Sequence, residues 1–301
     1  MTSSNINFNA ITTPIIHQGT PTIGYRDPAA HYHDGVFRVF HTLCTREGDS
    51  YYWHLAVTES RDLVKWSEPK ILTEKNLSLN YSSPGNIIWY DGQWVLCLQT
   101  YPTPRQETTG DQSSRLWTMT SSDLVNWSAP KMMMVKGPDV PVAEMGRMID
   151  PYLVQDMDNP EKWWCFYKQN GASISYSTDL DTWTYFGRVG AGENACVLVD
   201  GDEYVLIHSP KNGIGMKRST DLQTWRDVAF YTLGQAEWIW AQGRITAGHV
   251  LDLRDEPTVG KYLMFFHGSV DVSTCDLPET HGAASLGIAW SDDLVDWTWP
   301  V

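Results

Sequence analysis

Five times along this chain one short phrase returns: a small residue, a polar residue, Asp-Leu, two further residues and Trp. The copies are Ser60 to Trp66, Ser121 to Trp127, Thr178 to Trp183, Ser219 to Trp225 and Ser291 to Trp297, the third being the loosest at its front. Their Trp residues are separated by 61, 56, 42 and 72 positions. Self-similarity at long period marks a repeat architecture. A unit of roughly 58 residues is too long for a helical solenoid and suits a propeller blade of four strands with generous loops.

The sequence inside each unit reads as strand. Val36 to Leu43 and Tyr51 to Thr58 are rich in β-branched and aromatic residues, and Asp34-Gly35 precedes the first run. The second unit repeats this as Ile87 to Tyr90, Asp91-Gly92 and Trp94 to Leu98; the fourth gives Ala195 to Val199, Asp200-Gly201-Asp202 and Tyr204 to Ile207. Asp-Gly between apolar runs signals a tight hairpin. No long window carries a helical apolar period. The expected fold is therefore an all-β, five-bladed propeller of four-stranded antiparallel blades around a central channel, one domain over residues 1–301. In it the Asp-Leu-x-x-Trp phrase is the turn into each outermost strand, with Leu and Trp packing between blades. Pro69 and Pro130 suit the edge strands that follow. The fifth unit ends soon after its Trp, and Ile11 to Ile16 repeats the pattern seen after the other copies. Residues 11–16 are expected at the ring closure, completing the last blade.

A formal net charge of −14 argues against nucleic acid or an anionic membrane as partner, since both reward Lys and Arg. No run of eighteen apolar residues and no basic-then-apolar leader is seen, so a cytoplasmic protein is expected. Five Cys in no metal-ligand spacing (Cys44, Cys97, Cys165, Cys196 and Cys275) read as free thiols. The 15 Trp and 14 Tyr suit inter-blade packing and, for some, sugar stacking. Oligomeric state is not legible.

In a propeller the loops entering the innermost strands converge on one axial pocket. Ahead of those strands stand Arg26-Asp27-Pro28, Ser82-Ser83-Pro84, Ile149-Asp150-Pro151, Gly192-Glu193-Asn194 and Gly243-Arg244, the last followed by Gly248-His249. Three blades each offer a carboxylate, taken as equivalent in place. Three carboxylates around one pocket suit glycoside hydrolysis: one activates water, one is an acid of raised pKa, and a third tunes that acid.

On these residues the chain resembles glycoside hydrolase family 43 and its five-bladed relatives in families 62, 117 and 32, over its whole length. The resemblance implies Asp27 as general base, Asp150 as pKa modulator and Glu193 as general acid, although Asn194 stands where the family more often has other residues. It also implies His249 on the axis, where such propellers hold a structural calcium; no other cofactor is expected. The implied reaction is single-displacement inversion, with Asp27 and Glu193 roughly 6.5–9.5 Å apart. The implied action is exo, on an arabinofuranosyl, xylosyl or galactosyl end of an oligosaccharide. Arg244 and, more weakly, Arg26 and Arg147 are candidates for sugar hydroxyls, His249 for a further substrate contact, and Trp89, Trp238 and Trp240 for stacking walls. Tyr101 to Arg115 and Val270 to Ala284 are expected as pocket walls. The rivals are a retaining β-fructosidase-like hydrolase and a non-catalytic sugar-binding propeller. A phosphorylase would need basic residues, and the pocket-facing stretches read as poor in Lys.

Overall fold

The computed structural model describes residues 5–107, 109–271 and 283–300. Strand β1 (Ile15–His17) precedes the first blade, made of β2 (Ile23–His33), β3 (Val36–Glu47), β4 (Ser50–Ser60) and β5 (Lys70–Ile71). In the second blade β6 (Tyr81–Ser82) and β7 (Ile87–Tyr90) are two pieces of one inner strand, followed by β8 (Gln93–Thr100), β9 (Leu116–Ser121) and β10 (Lys131–Met132). The third holds β11 (Ile149–Gln155), β12 (Trp163–Lys168), β13 (Ala172–Ser177) and β14 (Thr184–Val189). The fourth holds β15 (Glu193–Asp200), β16 (Glu203–Ser209), β17 (Ile214–Ser219) and β18 (Arg226–Tyr231). The fifth holds β19 (Arg244–Leu253), β20 (Lys261–Ser269), β21 (Ser285–Ser291) and β22 (Trp297–Thr298). Each sheet is an antiparallel meander, and β19 packs against β2 to close the ring.

Turn chemistry sets the hairpins. Asp34-Gly35 and Asp91-Gly92 take left-handed conformations at both residues, which links two strands of matching twist. In the fourth blade the two-residue loop is Gly201-Asp202, because Asp200 still pairs with Glu203.

The ring closes through the N-terminus, as expected. β1 pairs with β21, placing Ile15 opposite Gly287. The Ile288 N–H donates to the Pro14 carbonyl at 2.9 Å. One edge of the last blade thus comes from each end of the chain, and sheet closure removes an exposed edge.

The fivefold phrase is a turn built from its own side chains. In the first copy Asp62 Oδ1 accepts from the Val64 and Lys65 N–H groups at 2.9 and 2.8 Å, and Ser60 Oγ accepts from Leu63 N–H at 2.9 Å. These bonds hold Leu63 at φ 61, and the equivalent Leu124, Leu180, Leu222 and Leu294 lie between 56 and 66. A left-handed Leu costs roughly 1–2 kcal/mol, which the turn's hydrogen bonds offset. The third copy begins at Ser177, whose Oγ reaches Asp179 Oδ1 at 2.9 Å, and Asp179 Oδ1 accepts from the Asp181 and Thr182 N–H groups as in the other copies.

Each phrase's Trp leans on the preceding blade. Trp66 meets Phe265 edge-on, Trp127 meets Phe40, and Trp225 meets Phe166. Trp183 is 1% exposed, within a cluster that joins blades two and three through Leu116, Met133 and Tyr167. Trp183→Ala is expected to destabilise the protein by about 3–5 kcal/mol, with Trp183→Phe losing clearly less, as read from denaturant unfolding.

Candidate active site

The mouth of the channel is shaped by one bulge per blade. Register shifts fall between Arg26 and Ala29, Ile149 and Tyr152, Glu193 and Cys196, and Thr246 and His249. In blade two the break between β6 and β7 plays that part. Each bulge holds a non-glycine residue at positive φ: Asp27 at 48, Ser83 at 39, Asp150 at 54, Asn194 at 52 and Ala247 at 54. Such a conformation costs of order 1–3 kcal/mol and persists only where its surroundings fix it. In four of the five the preceding blade supplies the fixing. The Asp27 N–H donates to His267 Nδ1 at 3.1 Å, Ser83 to Thr42 Oγ1 at 2.8 Å, Asp150 to Gln99 Oε1 at 2.6 Å, and Ala247 to Ser209 Oγ at 2.7 Å.

This ring corrects one expectation. Asp27 and Asp150 occupy the same bulge position, but Asn194 is their counterpart in blade four. Glu193 stands one residue earlier. Glu193 nevertheless lines the same cavity as the two aspartates, as Arg26 does from the corresponding position in blade one.

Asp27 is buried, and its Oδ2 accepts from Thr42 Oγ1 at 3.1 Å and Ser83 Oγ at 2.9 Å. Its Oδ1 lies 3.8 Å from an Arg26 nitrogen and from His267 Nδ1. His267 takes the Asp27 N–H on Nδ1, so its own proton sits on Nε2; burial, then Arg26 and Arg244, hold the ring well below its ordinary pKa and neutral.

Asp150 is pushed up to about 7 by burial first and then by the charges of Glu193 and Asp27. Glu193 moves the other way. Burial raises its pKa, but Lys168, which it contacts closely, and Arg244, 2.5 Å away, outweigh burial and hold it below the usual value. Near neutral pH the pair carries its proton on Asp150.

That arrangement bears on stability. An aspartate in the unfolded chain titrates near 3.9, against about 7 for folded Asp150. Between those values the folded state binds more protons, so stability falls as pH rises through the window and stays lower above it. Asp150→Asn is therefore expected to match the parent near pH 4 and to exceed it at pH 8, by up to about 4 kcal/mol. Denaturant unfolding at both pH values checks this, and equal differences at the two would refute it.

A cavity of about 450 Å3 opens over these groups, lined by all three carboxylates and by Arg26, Arg147, Lys168 and Arg244. Of the residues expected there, Arg26, Arg147 and Arg244 are present. Three tryptophans are not. Trp89 is 53% exposed and lies against Trp94, beside a separate depression with Trp163. Trp238 and Trp240 are buried and stack on one another and on Phe266, inside the core. Their apolar faces serve packing between blades four and five.

The aromatic wall is Trp53 and Tyr101, edge to face at 5.4 Å, with Arg147 over the Tyr101 ring at 5.3 Å. Thr109, Gly110 and Gln112 line it too, so the segment from Tyr101 to Arg115 is a wall as expected. Of Val270 to Ala284, positions 272–282 lie outside the described residues. His31 and His33 pack on Trp94 and do not line the cavity.

Sequence reading missed Lys168, Thr42, Gln99 and His267. All stand near the ends of second strands. In an antiparallel hairpin the end of the second strand lies opposite the start of the first: Lys168 faces Ile149, and Thr42 faces Arg26. That register was the available signal.

His249 reaches the channel axis, as expected, but does not line the cavity that holds the carboxylates. It lines a chamber of about 20 Å3 beneath the cavity, room for roughly one water. Its Nε2 is 3.1 Å from the Ala30 carbonyl, and burial lowers its pKa to about 4. A neutral ring with Nε2 engaged on a backbone carbonyl is an inter-blade tie and not a sugar ligand. Among the described residues no group of three or more His, Cys, Asp or Glu could hold a metal ion.

No protein-family model matches this sequence, and the curated proteins contain no match. Solved structures do match. The catalytic domain of a Coprinopsis cinerea GH62 α-L-arabinofuranosidase is 17% identical, with 96% of this chain and 97% of that one covered at a TM-score of 0.64. An exo-1,5-α-L-arabinanase from a bovine ruminal metagenomic library is 16% identical, with 93% and 98% covered and a TM-score of 0.63. A thermostable family-43 glycoside hydrolase is 16% identical, with 97% and 96% covered and a TM-score of 0.63. This chain has the five-bladed propeller fold of the family-43 and family-62 glycoside hydrolases.

Proposed function

We propose that this protein is a glycoside hydrolase that removes a terminal sugar from oligosaccharides by single displacement with inversion. One observation carries the reading: Asp27, Asp150 and Glu193, from three blades, line a single cavity beside sugar-sized aromatic and hydrogen-bonding walls. A protein gains nothing in stability from crowding three partly buried carboxylates, so their convergence points to chemistry. Asp27, oriented by two hydroxyl donors, is the base that takes a proton from water. Glu193 protonates the leaving oxygen after taking up the proton that the resting pair holds on Asp150. Asp150, bearing a proton near neutrality, is the neighbour that sets the protonation of Glu193. The terminal residue is read as arabinofuranosyl, in keeping with what two of the similar structures are named for, or as xylosyl or galactosyl.

A panel of nitrophenyl glycosides and plant oligosaccharides, α-L-arabinofuranosides and β-xylosides foremost, tests this, with the first-formed anomer followed by NMR. Turnover with an inverted anomer supports the reading. A retained anomer would replace single displacement with a covalent mechanism. The pairing of Glu193 with two cations favours a second reading, a sugar-binding propeller; binding without turnover across the panel would establish it.

A further inference from the structure

The cations around Glu193 extend beyond the cavity. A second, open groove of about 830 Å3 adjoins it and shares Lys168, Glu193 and Arg244 as its border. The groove continues over Gly192, Asn212 and Lys211. Glu193 is the single carboxylate among its lining residues, against Lys168, Lys211 and Arg244. Among the described residues Lys211 and Arg147 form no ion pair, and Arg244 Nε finds no hydrogen-bond acceptor. The chain has 22 Lys and Arg against 36 Asp and Glu. A cationic groove on such a protein runs against its overall composition.

The position of the groove gives it meaning. If Glu193 protonates the leaving oxygen, that oxygen lies within reach of Glu193, and the leaving group extends from there out of the cavity that takes the terminal sugar. The groove, which meets the cavity at Glu193, is the adjoining space. We infer that the leaving-group side binds an acidic sugar, with the carboxylate of a uronic acid held by Lys168, Lys211 and Arg244. This rests on the hydrolase reading for its orientation. An oxyanion there competes with Glu193 for Lys168 and Arg244. It thereby loosens the contacts that keep Glu193 ionised, which a neutral sugar has no group to do. Acidic substrates would then be favoured in turnover as well as in binding.

Calorimetric titration of the Asp27→Asn protein tests binding apart from hydrolysis. The probes are galacturonic acid oligomers of one to three residues, the matching neutral galactose oligomers, and inorganic phosphate. The expected result is at least tenfold tighter binding of the acidic oligomers than of the neutral ones. That preference should shrink as salt is raised and fall several-fold in Lys211→Ala, whose exposed side chain is not needed for folding. Equal affinity for acidic and neutral oligomers overturns the inference while leaving the hydrolase reading to the glycoside panel. A phosphate site lost in Lys211→Ala, with no preference between the oligomers, assigns the anion to solvent and overturns a substrate carboxylate. Failure of the panel with a retained acidic preference would sink the hydrolase reading and leave the acidic-sugar site standing.

Discussion

Asp27→Asn is expected to lower kcat about a thousandfold while changing KM less than about threefold. Removing a general base typically costs 10²–10⁴ in rate, and a thousandfold loss is about 4 kcal/mol of barrier. The fold should survive. The bond that fixes the bulge uses the Asp27 backbone N–H on His267, which the substitution leaves in place. An amide oxygen can still accept from Thr42 and Ser83, the two hydroxyls that now orient the carboxylate. What is lost is the ability to take a proton from water. Steady-state kinetics on the best substrate, with unfolding of the variant followed alongside, gives the answer. Near-parent kcat in a folded variant would remove Asp27 from the mechanism.

Much of this was legible in the sequence because repeats make a local signal redundant. The Asp-Leu-x-x-Trp turn is built from side chains within four residues of each other, so each copy announces itself, and five copies fix the blade number. The innermost-strand carboxylates were legible for a related reason, since each stands at the start of its unit's first strand, 39, 33 and 32 residues ahead of that unit's Trp. What the spacing hid was phase. A bulge shifts the inward direction by one residue, so Asp27, Asp150 and Asn194 correspond while Glu193 does not. The aromatic walls failed for another reason. Trp238 and Trp240 sit close in sequence to Arg244, but stacking on Phe266 buries them. Trp53, on β4, and Lys168, at the end of β12, reach the cavity through strand pairing, which composition and spacing along one strand do not display.

Glu193→Gln is expected to be costly in a way that depends on the leaving group. For a sugar alkoxide, which needs a proton as the bond breaks, kcat should fall by about 10³–10⁴. For a dinitrophenyl glycoside, whose leaving phenoxide is stable without one, the fall should be less than about tenfold. A structural role would depress both equally, so the ratio is the diagnostic. Glutamine keeps the length of the side chain but leaves Lys168 and Arg244 without their carboxylate, so some stability should be lost as well. The same substitution should move Asp150. The Glu193 charge is the largest electrostatic cause, after burial, of its raised pKa. Without that charge Asp150 should titrate lower, and the acidic shift should appear in the residual pH-rate profile on the dinitrophenyl substrate. A profile that keeps its limb near pH 7 would mean that Asp150 does not sense Glu193, and that the two carboxylates do not share a proton during turnover.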